Sequence, residues 1–125
     1  MRFMLLLKGD PQVDAADGVA ADAVEGPLPP AELINGMLKY LDDLTKAGVL
    51  LAAEGLLPSS AGAATITVKN GQQTVVDGPF AEAKEVIGGF AIVQVRDHAE
   101  AVEWAQRFAA LFDDVEVEVR KVGEH

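Results

Sequence analysis

A cluster of charged side chains surrounds the turn Asp77-Gly78-Pro79-Phe80: Glu54, Asp77, Glu82, Lys84 and Glu85. Carboxylates held together in a cleft push one pKa up and can serve as general acid and base, with a lysine placing an anion. On that chemistry Asp77, Glu82 and Lys84 are the candidate catalytic residues. Glu54, Glu85, Phe80, Phe90 and Tyr40 are the candidate pocket wall. Each has a plainer reading beside it. An aspartate before Gly-Pro commonly bonds backbone amides of its own turn. Glu82 and Glu85 suit the first turn of a short helix, where exposed N–H groups favour acids, or simply solvated surface. Glu54 suits a salt bridge, with Lys84 as one partner. Phe80 and Phe90 suit core packing. Tyr40 sits just off an apolar helical stripe, as an amphipathic boundary residue or as a phenol donor at a pocket mouth.

Other chemistries find no residues. The chain has no cysteine, which removes disulfides, thiolate metal sites and thiol catalysis. Its two histidines, His98 and His125, are too far apart in sequence to suggest a site, and no run has calcium-loop spacing. Ser59-Ser60 follow a proline in a loop pattern rather than a nucleophile elbow. Gly88-Gly89 is not a phosphate loop; it suits the opening of a strand, a bulge or close backbone approach to a ligand. Neither a metal nor a cofactor is expected.

The elements that must position these residues follow from periodicity. Phe3–Leu7 is a short apolar run ended by Lys8-Gly9-Asp10-Pro11, the pattern of a buried strand. Residues 10–30 are acidic, rich in Ala, Gly and Pro and free of Lys and Arg, which suits a loose loop, disorder or a lid. From Ala31 to Ala47 a helix is expected, with Ile34, Met37, Leu38, Leu41 and Leu44 on the buried face and Lys39, Asp42, Asp43 and Lys46 facing away. Gly48 ends it. Val49–Ala53 reads as the next strand. Thr65–Lys69 and Gln72–Val76 form a hairpin within 64–77, because Asn70-Gly71 accepts the positive φ of a type I′ turn. Residues 81–85 allow one helical turn, and Phe90–Val95 suits a covered central strand. Asp97 and Glu100 can make a capping box for a helix carrying Ala101, Trp104, Ala105, Phe108, Leu111 and Phe112 on one face. Val115, Val117 and Val119 alternate with charges as a half-buried strand, and the tail to His125 should fray.

That order, β-α-β, an inserted hairpin, then β-α-β, is a split βαβ, ferredoxin-like α+β arrangement in one domain of 125 residues. Helices on one face leave the other sheet face to be covered, and a homodimer through that open face is the expected cover. The formal net charge of −10 argues against nucleic acid or an anionic membrane as partner. The apolar run Phe3–Leu7 is too short for a span and has no signal-peptide layout, so a cytoplasmic protein is expected.

The chain resembles the YCII-related proteins, in particular their DGPF-domain branch. The resemblance is carried by Glu54-Gly55-Leu56 with Pro58, Asp77-Gly78-Pro79-Phe80, Ala81-Glu82-x-Lys84-Glu85-x-x-Gly88-Gly89-Phe90, Ala101-x-Glu103-Trp104-Ala105 and the closing Val-Glu-Val strand. It implies a dimeric α+β barrel version of the ferredoxin-like fold. About activity it implies little, since most members are known only as YCII-related or DGPF proteins. Some occur with extracytoplasmic-function sigma factors in bacteria, so sigma-factor-associated regulation is among the roles implied. Shorter YCII-like proteins are credited with a His–Asp pair, the histidine on the first helix. Here 31–47 contains no histidine, and that mechanism does not carry over. Three readings stand: a dimeric accessory or binding protein with a pocket near the DGPF block and an unknown small molecule, a cofactor-independent enzyme on a small organic substrate, or a block that only holds the hairpin.

Overall fold

The structure is a computed structural model that describes residues 1–9, 31–57, 61–78 and 86–124. Along the chain run β1 (Arg2–Gly9), α1 (Ala31–Lys46), β2 (Leu50–Gly55), β3 (Ala64–Lys69), β4 (Gln72–Asp77), β5 (Val86–Gln94), α2 (His98–Ala109) and β6 (Glu116–Lys121). The described residues fall into two compact units. One holds β1, α1, β2, β5, α2 and β6; the other holds the β3–β4 hairpin. The acidic stretch 10–30, Ser59-Ser60, Pro79-Phe80, the turn expected at 81–85 and the terminal His125 lie outside the described residues.

The first unit is a four-stranded sheet in the order β2-β5-β1-β6. β1 pairs with β6 and β2 with β5, both antiparallel. With the two βαβ halves interleaved in this way the chain has a ferredoxin-like α+β fold. The core lies between the sheet and both helices: Phe3 and Leu5 of β1, Val93 and Val95, Tyr40 and Leu44 of α1, Val49, and Ala101 and Ala105 of α2. Side chains alternate along a strand. Hence Met4, Leu6, Phe90 and Ile92 belong to the face turned away from the helices. The sheet is open, with β2 and β6 as its edges. Among the described residues no barrel is closed.

Local chemistry sets the element ends. Gly48, at φ 73°, ends α1 in a Schellman arrangement: its N–H bonds the Thr45 carbonyl and that of Val49 bonds the Leu44 carbonyl. The Asp97 carboxylate accepts from the Glu100 N–H at 2.9 Å and caps α2. The expected capping box is only half made, because Glu100 turns its own carboxylate to Arg96 Nε at 2.8 Å. In the hairpin, Asn70 and Gly71 take φ of 53° and 79°, the geometry of a type I′ turn.

The buried face of α1 differs from the expected stripe. Tyr40 and Leu44 are buried, whereas Leu38 is 61% exposed and Ile34 36%. The helix is turned so that Met37, Tyr40, Leu41 and Leu44 meet the sheet and α2. Asp43 does not simply face solvent: it receives Arg107 of α2 at 2.6 Å and Lys39 at 3.4 Å. Tyr40 is therefore a core residue rather than a boundary one.

Candidate functional site

Between α1 and the sheet lies a cavity of about 180 Å³, wholly within the first unit. Its walls are Leu5 and Leu7 of β1, Met37, Tyr40 and Leu41 of α1, and Phe108 of α2. Its floor is Ala53, Glu54 and Gly55 of β2 with Gly88, Gly89, Phe90 and Ala91 of β5. The floor owes its shape to pairing. Ala53 stands opposite Ala91, Glu54 opposite Phe90, and Gly55 opposite Gly89. Cross-strand partners share a face, so two rungs of Ala and Gly look toward α1 where larger side chains would fill the space. Glu54 and Phe90 form the rung between, with their side chains on the other face; what they give the floor is main chain.

The two β5 glycines have distinct reasons. A Cβ on Gly89 would stand 2.9 Å from the Glu54 carbonyl oxygen, so close strand approach requires glycine there. A Cβ on Gly88 would make ordinary contact with the Leu7 side chain at 3.6 Å. Both lie inside β5, in agreement with the strand reading of the pair.

Tyr40 carries the one polar side-chain group on the α1 wall, and it is committed. Its hydroxyl donates to the Trp104 carbonyl at 2.7 Å, and burial pushes its pKa up to about 12 against the opposing pull of Arg107. Its ring lies 5.3 Å from that of Phe108 at 35° and 6.2 Å from Trp104 at 70°. Arg107 sits with its guanidinium carbon 4.5 Å from the Trp104 ring centre and bonds Asp43, a clasp across α1 and α2. A phenol held in this way positions two helices; it does not deliver a proton at neutral pH.

Of the residues singled out from sequence, Tyr40, Glu54 and Phe90 thus come together at one cavity. Asp77 is exposed at the end of β4 in the hairpin unit, opposite Ala64. Glu82, Lys84, Phe80 and Glu85 lie outside the described residues. Among the described residues no three of His, Asp and Glu are grouped so as to hold a metal ion, and no helix is long and apolar enough to cross a membrane. Sequence reasoning missed Leu5, Leu7, Met37, Leu41, Ala53, Gly55, Ala91 and Phe108 as cavity residues. The one signal was the recurrence of Ala and Gly in β2 and β5, which acquires meaning only with their register.

A family model described as the YCII-related domain matches residues 1–123 of the chain. The chain belongs to the YCII-related family. An uncharacterized protein, R00369, of Rhizobium meliloti (strain 1021) is 39% identical to it over 68 residues, 54% of this chain and 51% of that protein. The chain thus spans about half the length of this curated relative. In this YCII-related protein α1 presents Tyr40, Leu41 and Met37 to the cavity and has no histidine.

Proposed function

We propose that this YCII-related protein is a small binding protein, working as a homodimer, that holds a small molecule in the cavity between α1 and the sheet. Gly55 is the observation that carries this reading. Among the described residues nothing asks for glycine at Gly55, the exposed last residue of β2: it shows no positive φ, and a Cβ there would meet nothing within 4 Å. A side chain at Gly55 would grow into open space at the end of the cavity floor that meets solvent. Protein interiors keep few voids larger than a water molecule, and small residues that leave one open suit a site built for a guest.

The alternative, acid–base catalysis by Asp77, Glu82 and Lys84, draws no specific support from the described geometry. A regulatory setting beside a sigma-factor system rests on the family resemblance alone. The dimer is supported by the apolar sheet face turned away from the helices.

A thermal-shift screen against small metabolites tests the binding reading, with Gly55→Val and Ala53→Leu beside the wild type. Ligand at about a hundred times its dissociation constant adds about 2.7 kcal/mol, which moves the midpoint of a chain this size by several degrees. The expected outcome is a hit that both folded variants lose. A hit that both variants keep would place binding elsewhere and sink the reading.

A further inference from the structure

We infer that the molecule this cavity takes is an uncharged, planar aromatic compound of one ring with one or two further carbons; the inference rests on the reading of the cavity as a binding site. Size comes first. An engineered apolar cavity of about 150 Å³ in another protein holds benzene, and this one measures about 180 Å³. Its volume leaves little beyond a single ring.

Polarity comes next. Met37, Leu41, Leu5, Leu7 and Phe108 offer no hydrogen bond of useful strength. The Tyr40 hydroxyl is spent on the Trp104 carbonyl. The β5 main chain of the floor lies between β2 and β1, and the β2 main chain is paired on its β5 side. Among the described residues no buried side-chain nitrogen or oxygen lacks a partner. A carboxylate or phosphate entering this space would leave water with nothing to replace it, which is costly. Among the described residues no cationic side chain lines the cavity, and the nearby Arg107 is engaged by Asp43 and Trp104. The chain's net charge of −10 opposes an anion further.

Shape separates aromatic from aliphatic guests. A floor of glycine and alanine is close to bare backbone, flat enough for a planar ring to lie on. Opposite it stand the tilted rings of Tyr40 and Phe108 and the Met37 thioether, groups that favour ring edges and faces.

The test is a set of NMR titrations of the full chain with four probes: xenon, toluene, methylcyclohexane and benzoate. Xenon reports whether the cavity admits any guest, independent of the guest's chemistry. The expected result is that xenon and toluene perturb the Leu7, Ala53, Ala91 and Met37 methyl signals, with toluene binding at least tenfold tighter than methylcyclohexane and benzoate. Ala53→Leu should weaken toluene at least tenfold; Gly55→Val serves the same purpose if Ala53→Leu does not fold. Entry of xenon without toluene, or benzoate or methylcyclohexane binding as tightly as toluene, would overturn the ligand class and leave the binding reading standing. Exclusion of xenon and all three compounds would overturn both.

Discussion

Tyr40 shows how one side chain's polarity is used up by structure. Its hydroxyl donates to the Trp104 carbonyl, its ring fills space between α1 and α2, and burial holds its proton to about pH 12. The folded pKa is raised above the ordinary value of about 10, so the folded state binds more protons than the unfolded one between those values. The associated stability is fully present below pH 10 and declines as pH rises through about 12. Over that window the loss should be on the order of 2 kcal/mol, since one pKa unit corresponds to about 1.4 kcal/mol. Tyr40→Phe should cost about 1 kcal/mol at neutral pH, the net worth of one hydrogen bond, and should flatten the decline above pH 10. Urea titrations of both proteins at pH 7, 10 and 11.5 measure this. A Tyr40→Phe protein that still declines as steeply as wild type above pH 10 would assign the effect to another group.

At the scale of elements, the features set by neighbouring residues were readable from sequence and the features set by packing were not. Asn70-Gly71 specifies its turn because both residues tolerate positive φ, and they adopt it. Gly48 ends α1 for the same reason. The order of strands and helices followed from periodicity, and the ferredoxin-like topology from that order. The buried face of α1 could not be read so directly: Leu33, Ile34, Met37, Leu38, Tyr40, Leu41 and Leu44 offer two overlapping stripes, and the sheet and α2 choose between them. The cavity was hidden for a related reason, since Ala53 faces Ala91 and Gly55 faces Gly89 only once residues far apart in sequence have paired. The choice of face can be tested by truncation. Leu44 is fully buried and Leu38 is 61% exposed. Leu44→Ala should cost about 2–5 kcal/mol, and Leu38→Ala should stay within about 0.5 kcal/mol. Comparable losses in the two denaturation midpoints would mean that α1 is turned the other way in solution.

At the scale of the whole molecule the governing quantity is charge, and the sheet face away from the helices is where a chain of net charge −10 can meet its copy. By alternation that face carries Met4, Leu6, Ala52, Phe90 and Ile92. Its charges balance: Arg2, Lys8 and Arg120 against Glu54, Glu116 and Glu118. Glu118 accepts Lys8 at 2.8 Å and Arg120 at 2.9 Å, and the bonds to these two cations hold its carboxyl below the usual range. A locally neutral, apolar face should dimerise by burial, opposed by the long-range repulsion of two acidic chains. Salt screens such repulsion over a Debye length of about 10 Å at 0.1 M. Added sodium chloride should therefore tighten the dimer, whereas an interface held by charge pairs would loosen. Leu6 stands in the middle of that face, opposite Glu118 in the β1–β6 ladder, and a carboxylate there would have to leave water without a partner when two such faces meet. Leu6→Glu should thus give a 13.2 kDa monomer by light scattering, with an unchanged far-UV spectrum, because Leu6 points away from the core. A wild-type chain that runs as a monomer at every salt concentration would end the dimer proposal. A dimer that Leu6→Glu leaves intact would move the interface to another surface.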